Sequence, residues 1–68
     1  MIFSEKLQIL RKNKGLTQEA LADKLNVSFS TIGNWEKGKG EPSLSQLRMI
    51  SELSNIPMDC IVVDNDSF

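Results

Sequence analysis

The 68-residue chain has no histidine and a single cysteine, Cys60. One cysteine excludes an internal disulfide, and the lack of histidine excludes a zinc site of the finger, ribbon or hydrolase type. No apolar run is longer than Cys60-Ile61-Val62-Val63, far short of the ~20 residues that span a bilayer. Neither a basic n-region nor a following apolar stretch opens the chain, so no secretory signal is expected and the protein reads as cytoplasmic, without a membrane partner. A nucleophile–base arrangement and a glycine-rich phosphate loop are both missing, which argues against an enzyme. No cofactor or metal is expected. Asp64-Asn65-Asp66-Ser67 has a fragment of calcium-loop spacing but lacks the central glycine and the terminal glutamate.

What is present suits one small globular domain. Hydrophobic residues make up 40% of the chain and charged residues 25%. A chain of this size buries only about 60% of the surface its unfolded form exposes, so the core must be efficient. The net charge of −1 conceals an uneven distribution. Between residues 11 and 39, Arg11, Lys12, Lys14, Lys24, Lys37 and Lys39 stand against Glu19, Asp23 and Glu36. From residue 51 onward Glu52, Asp59, Asp64 and Asp66 meet no base. A basic half of this kind can present a positive face to a phosphate backbone even in an acidic protein.

Glycine, proline and asparagine cut the chain into helix-sized pieces, and the fold class is all-α. The first helix is predicted over about 3–13, with Phe3, Leu7, Leu10 and Lys14 on one stripe and Gly15 as its left-handed stop. Thr17 caps a second helix, 18–25, whose inner face is Leu21, Ala22 and Leu25. Asn26 ends it, because asparagine tolerates the left-handed conformation second best to glycine. Ser28 caps a third helix running to about Lys37, closed by Gly38. Ser43 and Gln46 read as a capping box opening a fourth, 44–54. Its apolar residues Leu44, Leu47, Ile50 and Leu53 are expected inside, and Ser51 and Ser54 to bond back to the backbone. Asn55 stops it, and Pro57 begins a short fifth helix, 58–62. Residues 1–63 form the domain and 64–68 a polar tail.

The second and third helices are joined only by Asn26, Val27 and Ser28. Across so short a turn they cross steeply, as in a helix-turn-helix. At ~100° per residue Ile32 and Trp35 face inward, while Ser30, Gly33, Asn34 and Lys37 point out together. A solvated face usually carries long charged side chains. This one is small, amide-bearing and basic, and fits a major groove, where asparagine pairs with adenine and lysine reaches guanine or phosphate. Phe29 sits at the boundary. It either offers apolar contact to a thymine methyl or turns inward as a lid beside Ile32.

Gly15-Leu16-Thr17-Gln18, Leu21-Ala22, Val27-Ser28, Ile32 and Trp35-Glu36 with Gly38 resemble the phage-repressor and Cro type of helix-turn-helix regulators, the lambda-repressor-like domains. The similarity covers about residues 3 to 62. It implies a five-helix domain that binds double-stranded DNA, as a dimer on a palindromic operator, in a prokaryotic or phage transcription regulator. By position it implies that Gln18 bonds a phosphate and braces the recognition helix. Phe29, Ser30, Thr31 and Asn34 would face bases or adjoining backbone, Lys37 and Lys39 would contact backbone, and the caps Thr17 and Ser28 join this set. Met58 and Ile61 would lie on the dimer surface. The resemblance also pairs Arg11 with Glu36, which the helical wheel sets inside an apolar arc where a lone carboxylate is costly. Three positions depart from the family pattern. Asn26 replaces a turn glycine, Phe29 stands where a polar base reader is common, and Ser54 where a large apolar residue is frequent. The acidic composition leaves a second reading, an antitoxin or protein-interaction module that uses the same fold to hold a protein partner.

Overall fold

Three side-chain caps and four left-handed stops divide the chain into its helices. A computed structural model of the protein describes residues 2–62: α1 (Phe3–Asn13), α2 (Gln18–Leu25), α3 (Phe29–Glu36), α4 (Leu44–Ser54) and α5 (Met58–Val62), with no strand among them. The polar tail expected at 64–68 and its calcium-like spacing lie outside these residues. Thr17 Oγ1 accepts from the Ala20 N–H at 3.0 Å and opens α2, while Ser28 Oγ accepts from the Thr31 N–H at 3.2 Å and opens α3. At α4 the capping box is complete, with Ser43 Oγ accepting from the Gln46 N–H and Gln46 Oε1 from the Ser43 N–H. α1 starts on an apolar residue, Ile2, without a side-chain cap. The stops are Gly15 (φ 68°), Asn26 (φ 56°), Gly38 (φ 81°) and Asn55 (φ 59°). α3 ends one residue earlier than its periodicity suggests, with Lys37 as the C-cap.

The core consists of Leu7, Leu10, Leu21, Ala22, Leu25, Ile32, Trp35, Ile50 and Ile61, with Phe3, Leu16, Val27, Leu47, Met49, Leu53 and Ile56 packed around it. The Phe3 ring meets Trp35 edge-on, centroids 6.2 Å apart and planes at 70°, the arrangement aromatic quadrupoles favour. Ser51 Oγ donates to the Ile56 carbonyl and Ser54 Oγ to the Ile50 carbonyl, so the hydroxyls inside the apolar arc of α4 are satisfied by backbone.

Three placements differ from the sequence pattern. Leu44 is 66% exposed. Residues that step by three drift around the helix, and once Ile50 points at the core Leu44, two steps away in the first turn, has left the buried arc. Ile61, expected on a dimer surface, is 2% exposed. It faces the core from a helix barely longer than one turn, so it belongs to the interior of the protomer, and only the half-buried Met58 remains at that edge. Lys6, which no pattern singles out, is 1% exposed and donates from Nζ to the Cys60 carbonyl at 2.6 Å, tying α1 to α5. No helix of the described residues is long and apolar enough to cross a membrane.

Candidate nucleic-acid interface

The turn Asn26-Val27-Ser28 leaves α2 and α3 in the most extensive helix pairing of the fold, with α1 packed behind α3. Ile32 and Trp35 are spent on that packing. Their burial rotates Phe29, Ser30, Asn34 and Lys37 outward, and all four are exposed. Phe29 is 57% exposed. It is therefore no lid on the core, and the inward alternative is excluded. In the first turn of α3, Ser28 Oγ lies 3.1 Å from Ser30 Oγ and 2.8 Å from Thr31 Oγ1, so three hydroxyls gather at one helix end. Lys37 and Lys39 follow the last turn, and the backbone there is pinned by a 2.8 Å bond from the Lys39 N–H to the Asn34 carbonyl.

Behind this face one carboxylate, that of Glu36, gathers side chains from α1 and α2. Arg11 donates to Glu36 from Nε (2.7 Å to Oε2) and Nη2 (3.2 Å to Oε1), and its Nη1 donates to the Leu16 carbonyl at 2.9 Å. The Arg11 and Glu36 side chains are 15% and 6% exposed. Gln18 Nε2 donates to Glu36 Oε1 at 3.0 Å, leaving its second amide hydrogen for another acceptor. Gln8 Nε2 donates to the Glu36 backbone carbonyl at 2.9 Å. The C-terminal turn of α3 is thus bonded to both α1 and α2, and Glu36 meets its cost of burial through bidentate, charge-assisted bonds. Among the described residues no buried side-chain nitrogen or oxygen lacks a partner.

The structure brings Ser28, Phe29, Ser30, Thr31, Asn34 and Lys37 onto or around one helix, with Lys39 just beyond it. Thr17 and Gln18 come together at the start of α2. Gln8 is the member that sequence reasoning missed. Its signal was its place one turn before Arg11, the spacing that sets two side chains side by side on a helix.

A helix-turn-helix family model matches residues 7–59. The chain belongs to the helix-turn-helix family. It is 49% identical over 59 residues to the HTH-type transcriptional activator BcrR of Enterococcus faecalis, an alignment that takes in 87% of this chain and 29% of BcrR. With the immunity repressor protein of Bacillus phage phi105 it shares 34% identity over 62 residues, 91% of this chain and 43% of that protein. The chain therefore spans less than half the length of either regulator. Among solved structures it resembles the P22 c2 repressor protein in complex with synthetic operator 9T in the presence of Tl+. The TM-score is 0.87 at 25% identity, covering 96% of this chain and 98% of that one. The fold is the lambda-repressor-like one that the sequence motifs imply.

Proposed function

We propose that this chain is the DNA-binding domain of a prokaryotic or phage transcription regulator that acts in the cytoplasm and reads a two-fold-related operator as a dimer. The observation that carries the reading is the outer face of α3. It is small, hydroxyl- and amide-bearing and followed by exposed lysines, on a helix locked from behind by Glu36. Such a face enters the major groove, where Asn34 matches the N6 and N7 edge of adenine. Ser28, Ser30 and Thr31 supply hydroxyls to bases or adjoining phosphates. Lys37 and Lys39 neutralise backbone beyond the helix, and Thr17 and Gln18 approach it from the start of α2. Likeness to a repressor solved with its operator supports this assignment. Of the two residues expected on a dimer surface, the half-buried Met58 at the edge of α5 is the one left to meet a second copy. The alternative of a module that only holds a protein partner is less favoured, because α3 does not present the balanced charges of an ordinary solvated helix.

Selection from random duplex DNA, followed by sequencing, tests the reading. Enrichment of a site with two related half-sites about one helical turn apart, ~34 Å, is the expected result. Failure to enrich any site overturns DNA reading and leaves the protein-partner module.

A further inference from the structure

Gly33 occupies the middle of α3, and its backbone is ordinary right-handed helix, since the glycines with positive φ are Gly15, Gly38 and Gly40. Glycine is the poorest helix former after proline. In a helix interior it is destabilising relative to alanine, a cost that a use for the missing side chain would offset. The fold makes no such use of it. A Cβ built on Gly33 meets no atom within 4 Å beyond its chain neighbours and its own helix backbone. Three residues of the exposed face, Ser30, Asn34 and Lys37, surround the position. Phe29 stands one turn earlier on the same stripe, 57% exposed and without a hydrogen-bonding group.

We infer that Phe29 and Gly33 together form a notch on α3 that receives the 5-methyl group of a thymine in the operator half-site. This rests on the DNA-binding reading above and deepens it. Residues four apart on a helix are neighbours on its surface, so the ring of Phe29 is an apolar wall beside the bare Cα of Gly33. In the major groove the one apolar group a base pair offers is the thymine methyl. A methyl on the DNA needs the room that alanine's methyl would take on the protein. Glycine at 33 supplies that room and brings the helix backbone close to the base edge. The fold itself gains nothing from glycine there.

The test uses the wild-type chain, its selected duplex, and the variants Gly33→Ala and Phe29→Ala. Affinity is measured by fluorescence anisotropy at fixed salt, and folding by thermal unfolding. Each thymine of the half-site is replaced in turn by deoxyuridine, which removes only the methyl. The expected result is a loss of about fivefold or more for wild type at one thymine, and no further loss there for either variant. Gly33→Ala unfolds at a temperature equal to or above that of wild type, yet binds the thymine duplex about tenfold more weakly. The inference is overturned if no uracil substitution weakens wild-type binding, or if the penalty persists in either variant. It is also overturned if Gly33→Ala lowers the unfolding temperature, since the fold would then be what requires glycine. Should Phe29→Ala fail to fold, Phe29→Ser carries the same comparison, and the uracil series on wild type needs no variant. If wild type enriches no duplex at all, it is the DNA-binding reading that fails, an outcome distinct from any of these.

Discussion

Arg11 and Glu36 are 25 residues apart in sequence, and the paired nitrogen and oxygen are 2.7 Å apart in space. Their joint burial makes them a charged pair whose loss the fold should feel strongly. Removing one partner of such a pair leaves an uncompensated buried charge or donor and costs about 3 kcal/mol. Arg11→Met and Glu36→Gln are each expected to lower the unfolding free energy by roughly that amount. The double variant should lose less than the sum of the two, because residues in one network do not add. Urea unfolding of the three proteins measures this, and strict additivity would contradict a direct pair. Glu36 was visible in the sequence as a carboxylate inside an apolar arc, a conflict that only a partner resolves. Lys6 gave no such warning. A lysine on a helix is read as solvated by default, and the carbonyl that receives it belongs to Cys60, across a tertiary contact that no local spacing encodes. Gln8 lies between these cases, half-signalled by its spacing from Arg11 and settled only by the position of the α3 carbonyl.

For the helices, most boundaries were legible because local chemistry sets them. A hydroxyl that caps and a residue that tolerates positive φ act within four residues of the place they define. Leu44 shows where that legibility ends. Which half of an apolar arc is buried depends on how α4 is rotated against its neighbours, and its sequence alone does not fix that rotation. Asn26 and Asn55 make the stop signals testable. Both sit near φ 57°, where a β-carbon crowds the backbone and costs an ordinary residue about 1 kcal/mol or more. Asn26→Ala should therefore lower stability by roughly that amount, and Asn26→Gly should leave it equal or higher. Chemical denaturation of the two variants is the measurement, and an alanine variant as stable as wild type would show that the turn is not held in this conformation. The effect should reach binding only through folding, since Asn26 is on the turn and not on the outer face of α3.

At the scale of the molecule the decisive quantities are size and charge. The domain measures 27 × 23 × 21 Å, less than the ~34 Å between successive major-groove faces on one side of B-DNA. On the two-fold operator proposed above, one copy would therefore cover one half-site and two copies would be needed. Lys12, Lys14, Lys24, Lys37 and Lys39 are exposed in the segment that contains the helix-turn-helix, against Glu19 and Asp23, while Glu36 is buried against Arg11. If Lys37 and Lys39 each neutralise one phosphate per protomer, the logarithm of the binding constant should fall against the logarithm of salt concentration with a slope of about −4. Lys39→Gln should reduce that slope by about 2. Titrations at four or five salt concentrations give both values, and a flat response would remove the lysines from the interface. The arrangement around Glu36 has one more implication. The groups that orient α3 sit on its inner side and the groups that meet solvent sit on the other, so the two sets can mutate independently. Substitutions at Phe29, Ser30, Asn34 or Lys37 leave the bracing untouched and should shift stability by no more than about 0.5 kcal/mol each. If these residues read the operator as proposed, a lineage can readdress the domain to new target sequences in single steps, without passing through unfolded ancestors.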